Sequence, residues 1–230
     1  TPTYELEVPS TGEKIKYRPF LVKEEKILLI ASESGKQEDV INAIKQIATE
    51  CTFGKLKVGR MPMFDVEYIF LQIRAKSVGE VSELTLVAPD DKETRVDIEI
   101  DLSEIKVQES EGHTNKIELT DEMGIYMQYP TVDTFGKSGM TEITATNMLD
   151  VISSCIFEIY DKKGEEVFQA KDSTKKELVD FIEQLSSKQF ANIQDFFDTM
   201  PKLKHNITIK NPKTKVESEV VLSGLSDFFV

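Results

Sequence analysis

Apolar and polar residues alternate at the start of the chain, which predicts a β-hairpin. The stretches YELEVP and IKYRPF alternate on either side of STGEK, whose residues are typical of a turn. Pro19 ends the second strand, and the next stretch, LVKEEKILLIAS at 21–32, is predicted to form a helix.

Apolar residues at helical spacing then predict two further helices. The first ends near Cys51, and Ser34 with Gln37 has the form of a capping box at its start. The second is MPMFDVEYIFLQIRAKSVG, in which Pro62 suits the first turn and Gly79 suits the C-terminal cap.

The pattern changes to period two between residues 81 and 107, which predicts a second hairpin. Its strands are EVSELTLVA and TRVDIEIDL, joined by the turn PDDKE. SEIKVQES and KIELT are predicted as further strands, and MGIYMQYP fits either a strand or a short helical turn. The polar, glycine-containing stretch TVDTFGKSGMTE is predicted to be a surface loop.

The last third of the chain is predicted to hold three helices and a final hairpin. TATNMLDVISSCIFEIYD is the first helix, followed by a turn and short strand in DKKGEEVFQAKD. The next helix starts with a candidate capping box of Thr174 and Glu177, and the third closes at Pro201. KHNITIKNPKTKVESEVVLSG is the hairpin, and LSDFFV is a short amphipathic tail.

These elements predict an α+β fold in which locally paired β-hairpins are interspersed with helical blocks. The predicted division puts a hairpin, helices and a second hairpin in residues 1–110, and a helical region with the C-terminal hairpin in residues 111–230. The boundary falls in QESEGHTN. A length of 230 residues also allows the alternative, one continuous domain.

Charge and composition narrow the class of function. A formal net charge of −13 argues against nucleic-acid binding as the primary role, because phosphate contacts need a basic surface. The apolar runs are far shorter than the roughly 20 residues that span a membrane. The opening TPTYELEVPS lacks the basic and apolar regions of a signal peptide. We therefore expect a soluble protein that meets neither nucleic acid nor membrane.

The sequence offers few candidates for chemistry. Cys51 and Cys155 stand in apolar helical contexts and are expected to be buried thiols in a reducing compartment. His113 and His205 lie in exposed-looking turns and lack the short spacing of a zinc site. No metal, cofactor or Cys–His nucleophilic pair is therefore predicted.

Other catalytic patterns are equally weak. The GKS at 136–138 lacks the earlier glycine of a phosphate-binding loop, since Thr131 stands at that position. No calcium loop and no serine-elbow motif is present. Nothing selects one acid pair from the 41 acidic residues. We expect that the protein is not an enzyme.

Three stretches carry a resemblance to a known family. They are EVPSTGEKIKYRPFLVKEEKILLIA, IATECTFGKLKVGRMPMFDVEYIFLQIRAKSVGE and VDIEIDLSEIKV. They resemble the T4-type baseplate hub and hub-assembly proteins of contractile-tailed bacteriophages. Helices such as FIEQLSSKQFANIQDFFDTMPKL are similar to the family in character.

The resemblance implies a non-enzymatic protein that acts in the host cytoplasm during assembly of the baseplate hub. Its implied partners are other phage baseplate hub or tail proteins, and it leaves open whether the chain is a virion component or a transient assembly factor. The alternatives are a general protein-binding module or chaperone outside phage tails, and an unrecognised hydrolase.

Six residues are candidates for partner contacts. The stretch 51–80 is the densest in the chain, and its apolar and cationic residues suit a protein interface. Arg74 is a candidate anchor, with a favourable cation at a helix C-terminus as the equal alternative, and that alternative is the better explanation of Lys76. The candidates are Met61, Met63, Phe64, Arg74, Phe228 and Phe229. Core packing is the alternative for the methionines and Phe64, and docking on the parent fold is the alternative for the terminal pair.

Overall fold

The computed structural model describes residues 1–136, 143–163 and 166–228. Its α-helices and small antiparallel sheets confirm the predicted α+β class. The helices are α1 (Val22–Glu33), α2 (Gln37–Cys51), α3 (Met63–Val78), α4 (Val132–Gly136), α5 (Met148–Cys155), α6 (Lys175–Glu183) and α7 (Ser187–Thr199). The strands are β1 (Tyr4–Glu7), β2 (Lys14–Tyr17), β3 (Val81–Val87), β4 (Arg95–Asp101), β5 (Lys106–Gln108), β6 (Lys116–Glu118), β7 (Met123–Met127), β8 (Ile156–Asp161), β9 (Val167–Gln169), β10 (Lys202–Lys210) and β11 (Glu217–Ser223).

The chain forms two compact units, and the C-terminal hairpin belongs to the first. Unit 1 comprises Thr1–Gln108 and Pro201–Val230, and unit 2 comprises Glu109–Met200. The sequence-based division grouped that hairpin with residues 111–230 instead. The structure groups it with unit 1 because β10 pairs with β5, a contact between strands nearly a hundred residues apart. Local patterns carry no information about such pairing.

Three small antiparallel sheets surround the core of unit 1. They are β1–β2, β3–β4 and the three-stranded order β11–β10–β5, so all three predicted hairpins of this unit are confirmed. The register places apolar partners opposite one another, as with Leu6 and Ile15 or Ile207 and Val220. The core contains Leu71, Ala75, Leu84, Ile100, Leu102, Ile105, Leu203, Leu222 and Phe228.

The helices of unit 1 are confirmed, but one predicted cap is wrong. Helix α2 starts after Lys36, and Ser34 instead ends α1. The Ser34 hydroxyl donates to the Ala31 carbonyl at 2.7 Å and accepts the Lys36 N–H at 3.1 Å. Because this hydroxyl is engaged at the end of α1, it does not cap α2. Helix α3 ends at Gly79 as predicted, where a φ of 127° favours glycine.

Unit 2 contains a four-stranded antiparallel sheet in the order β6–β7–β8–β9. MGIYM is a strand rather than a helical turn. The predicted helix over 144–161 is wrong beyond Cys155, where β8 begins. Ile159 pairs with Ile125 of β7 and Phe168 of β9, so β-branched and aromatic residues find ladder partners on both sides.

Two further predictions in unit 2 have different outcomes. The capping box of α6 is confirmed, since Thr174 Oγ1 accepts the Glu177 N–H at 3.2 Å and Glu177 accepts the Thr174 N–H at 2.7 Å. The loop predicted for TVDTFGKSGMTE is wrong over 132–136, which form α4, and its remaining residues 137–142 lie outside the described residues. In the described parts of the chain, no helix has the length and apolar character needed to cross a membrane.

Candidate protein-docking surface

A fully buried carboxylate fixes the start of α1. Glu24 has 0% exposure, and its Oε1 lies 2.8 Å from Arg18 Nη2. Its Oε2 accepts the Leu21 N–H at 2.6 Å. Burial alone raises the pKa of the carboxyl, but the hydrogen bonds from Arg18, Leu21 and Lys23 outweigh it and lower the pKa to about 2. Glu24 is therefore charged near neutral pH and ties the chain before α1 to its first turn.

The same residues hold the end of α2 beside the start of α1. The Arg18 N–H donates to the Cys51 carbonyl at 2.9 Å, and the Arg18 guanidinium donates to the Cys51 sulfur at 3.6 Å. Lys23 Nζ reaches Glu50 at 3.2 Å. These contacts join the segment after β2, the start of α1 and the end of α2. The side chains at this end of the helix pair therefore project from one connected framework.

Helix α1 exposes apolar residues on the side turned away from Glu24. Val22 is 80% exposed, Leu29 is 59% exposed and Ile30 is 58% exposed. Residues seven apart lie on the same helix face, so Val22 and Leu29 belong to one surface. A surface helix ordinarily carries polar residues on its solvent side. We call Val22, Leu29 and Ile30 the α1 apolar face.

Phe53 extends this exposed apolar character at the end of α2. It is 50% exposed and has a φ of 60°, in the left-handed region that bulky residues rarely adopt. The Phe53 N–H bonds the Glu50 carbonyl at 3.1 Å and the Gly54 N–H bonds the Thr49 carbonyl at 2.8 Å, which closes the helix. The turn therefore holds an aromatic ring at the surface at a conformational cost.

Three exposed cations follow Phe53. Lys55, Lys57 and Arg60 stand in residues 53–60, which we call the basic loop. A 3-10 turn over Val58–Arg60 ends this loop. The basic loop therefore combines an exposed aromatic ring with positive charge, and both aromatic residues and arginine are enriched at protein interfaces.

The family model described as T4 bacteriophage base plate protein matches residues 1–230. The chain belongs to the T4 bacteriophage base plate protein family. No curated protein and no solved structure matches this base plate protein significantly.

Two of the six predicted partner-binding residues of this base plate protein are buried within unit 1. Phe64 has 6% exposure and Phe228 has 0%. The Phe228 carbonyl accepts a hydrogen bond from the Ser82 hydroxyl at 3.2 Å. The Leu225 N–H, three residues earlier, donates to Glu67 at 3.1 Å. Burial raises the pKa of Glu67 to about 7. Phe228 thus docks on its own chain, and Phe229 lies outside the described residues.

The other predicted residues are half-buried. Met61 and Met63 flank the start of α3, each partly exposed. Arg74 is also half-buried, and burial lowers the pKa of its guanidinium while the charge of Glu25 opposes that change. Lys76 pairs with Glu80 and lies 5.3 Å from the centre of the Tyr4 ring.

Sequence reasoning missed the α1 apolar face and Phe53. One signal was available for α1: VKEEKILLIASE carries apolar residues all round the helix, whereas a surface helix that packs only against its own core carries them in one stripe. No comparable signal existed for Phe53, because its exposure follows from the left-handed turn that ends α2.

The remaining candidates for chemistry occupy structural positions. Cys51 and Cys155 are buried free thiols as predicted, and burial raises their pKa values to about 11 and about 12. His113 is half-buried rather than exposed: Nδ1 lies 2.8 Å from Thr199 Oγ1 and Nε2 lies 2.9 Å from Tyr129 Oη. Burial also lowers the pKa of His113.

His205 lies within a strand of unit 1 rather than in a turn. It is half-buried in β10, directly opposite Leu222 of β11. Among the described residues of the whole chain, no group of three or more His, Cys, Asp or Glu side chains is arranged to hold a metal ion.

Proposed function

We propose that this base plate family protein is a structural or assembly protein of the baseplate hub, acting through protein–protein contacts without covalent chemistry. The observation that carries the proposal is the α1 apolar face. Val22, Leu29 and Ile30 remain exposed although the chain buries a substantial core. Removing exposed apolar surface from water favours association with a partner, and contiguous exposed apolar residues mark interaction sites. A tail protein that seats on α1 would gain this stabilisation.

The hub assignment is supported by the resemblance of the three N-terminal stretches to hub and hub-assembly proteins. The first of these stretches contains the α1 apolar face, and the second contains the basic loop, so the resemblance covers the docking surface itself. Partners are therefore other hub or tail proteins. The place of action is the host cytoplasm during assembly, followed by the tail baseplate if the protein is retained.

Co-purification tests the proposal directly. A tagged copy co-expressed with the phage's other hub proteins is expected to retain at least one of them. The double variant Val22→Ser/Leu29→Ser should lose that partner, whereas Val87→Ser/Val221→Ser, which changes exposed valines on β3 and β11, should keep it. Recovery of no hub protein by the unaltered chain would overturn the hub assignment.

Mass spectrometry of purified particles beside infected-cell lysate then separates the two hub roles. Detection in the particle at a fixed low copy number identifies a hub component. Presence in the lysate with absence from particles identifies a transient assembly factor.

A general chaperone is the second candidate, since an exposed apolar helix face also binds unfolded chains. Comparable binding to unrelated unfolded proteins and to hub proteins would favour it. Selective retention of hub proteins would exclude it.

A further inference from the structure

We infer that the basic loop, residues 53–60, binds an acidic segment of a partner protein. This inference rests on the proposed function and adds the chemistry of the partner. The loop differs from the α1 apolar face, because charge rather than apolar area would select what binds there.

Sequence and structure together make this loop a local positive site. The chain contains 41 acidic residues among 230, yet none stands between positions 51 and 64. Lys55, Lys57 and Arg60 are all exposed. Within the described residues, none of these three cations forms an ion pair.

The carboxylates at both ends of the loop are engaged elsewhere. Glu50 pairs with Lys23 at 3.2 Å and accepts a hydrogen bond from Gln46 at 2.9 Å. Asp65 has 1% exposure and accepts the Ser10 N–H at 2.9 Å as well as the Ser10 hydroxyl. Neither carboxylate neutralises the loop, so its positive charge faces solvent.

The overall charge of −13 does not cancel this local field. At physiological ionic strength, charges are screened beyond about 8 Å, so a ligand at the loop responds mainly to nearby cations. Three cations can neutralise only a few phosphates, which is too few to offset the repulsion between an extended nucleic acid and this acidic chain. A short acidic protein segment has the size and charge that this loop accommodates.

Phe53 supplies the second observation. Its ring is half exposed, and its backbone is held in the left-handed conformation that glycine would adopt without strain. Aromatic residues and arginine are enriched at protein interfaces, and the basic loop supplies both in Phe53 and Arg60. An acidic segment that carries an apolar residue would therefore meet both features of the loop.

The experiment compares three versions of the full chain, each co-expressed with the phage's hub proteins and purified both with and without nuclease treatment. They are the unaltered chain, Lys55→Glu/Lys57→Glu, and the control Lys36→Glu/Lys106→Glu, which reverses two exposed lysines elsewhere in unit 1. We expect the loop variant to recover at least about tenfold less partner, and the control to recover as much as the unaltered chain.

Carbodiimide treatment of the recovered complex then reads out the chemistry. The reagent joins a lysine amine to a carboxylate as an amide, so peptide mapping should link Lys55 or Lys57 to Asp or Glu of the partner. Thermal melting of each variant alone checks that both remain folded.

The outcomes separate the inference from the proposed function. Equal recovery by the loop variant and the unaltered chain overturns the inference and leaves the hub role intact. Loss of the partner on nuclease treatment, or links only to a second copy of this chain, also overturns it. If the unaltered chain recovers no hub protein, the hub role fails and the inference fails with it.

Discussion

Two stretches of unit 1 are free of acidic residues and rich in cations, but they differ in the carboxylates that the fold brings to them. One contains the basic loop, and the other is 201–216, which forms β10 and the turn after it. In the second stretch Lys210 pairs directly across the ladder with Glu217. Among the residues that the structure describes, no carboxylate forms an ion pair with Lys55 or Lys57 of the basic loop.

The turn after β10 also binds acidic residues from another hairpin. Asn211 Nδ2 donates to Asp90 Oδ1 at 3.1 Å and to Asp91 Oδ2 at 2.9 Å, and the Thr214 hydroxyl donates to Asp90 at 2.6 Å. These hydrogen bonds, led by that from Thr214, lower the pKa of Asp90. A basic stretch of sequence thus becomes a docking candidate only where the fold leaves it without carboxylates.

The largest expected effect on stability is at Glu24, in the first turn of α1. Glu24→Ala removes the partner of the Arg18 guanidinium and leaves that charge poorly solvated, so the free energy of unfolding should fall by about 3 kcal/mol. Urea denaturation at pH 7 measures it. The control Glu25→Ala changes an exposed neighbour and should alter stability by less than about 0.5 kcal/mol. Similar losses in both variants would contradict this account of Glu24.

The same carboxylate predicts a pH dependence. The pKa of Glu24 is about 2 in the folded chain, against an ordinary value of 4.5. Because the folded pKa is the lower one, the stabilisation is fully present above about pH 4.5 and is lost as pH falls through about 2. The difference in unfolding free energy between the unaltered chain and Glu24→Ala should therefore shrink across that window. A difference in unfolding free energy that does not change with pH would contradict the low pKa assigned to Glu24.

The second stretch should respond through stability alone. Asn211 has 1% exposure and bridges both aspartates, so Asn211→Ala should lower the free energy of unfolding by about 2 kcal/mol. Recovery of hub proteins at a temperature well below melting should not change. Loss of partner binding by the folded variant would show that 201–216 is also part of the interface.

Much of this fold follows from sequence, because each hairpin carries its own alternation and turn. The errors occurred where a pattern had two solutions or where distant segments meet. Ile152, Ile156 and Ile159 fit helical spacing, but neighbouring strands beyond Cys155 favour β8. Likewise, the pairing of β10 with β5 assigns the C-terminal hairpin to unit 1, although no local signal predicts it.

The candidate site was predicted less completely. The stretch 51–80 was singled out, and it contains the basic loop. The residues predicted in it are three apolar ones at the start of α3, of which Phe64 is buried, and the half-buried Arg74. Exposure depends on which side of each element the core covers, and that is a tertiary property. Phe53 and the α1 apolar face could therefore be recognised only in the folded chain.

Replacement of Phe53 should have a smaller effect on the free energy of unfolding, and the direction of that effect tests whether the residue is strained. Phe53→Gly relieves the left-handed strain and should raise the free energy of unfolding by about 1 kcal/mol, while partner recovery falls. Phe157 is an equally exposed phenylalanine in β8, where glycine weakens a strand, so Phe157→Gly should lower stability instead. A gain in stability with unchanged partner recovery would remove Phe53 from the docking surface.

The smallest expected effect comes from reversing one lysine in each stretch. Lys210→Glu places a carboxylate directly opposite Glu217, and like charges across a ladder are destabilising by up to about 1 kcal/mol. Lys57→Glu breaks no ion pair within the described residues, so the free energy of unfolding should change by less than about 0.5 kcal/mol. Chemical denaturation of both variants at low and high salt measures the contrast.

The salt dependence of stability shows whether repulsion between charges causes the effect of each variant. Screening should remove most of the Lys210→Glu penalty, because repulsion between exposed charges causes it. The Lys57→Glu variant should be insensitive to salt when alone and sensitive only in partner recovery. If Lys57→Glu instead destabilised the free chain and salt restored it, Lys57 would already be paired within its own fold. The two basic stretches would then be equivalent, and the basic loop would have no charge to offer a partner.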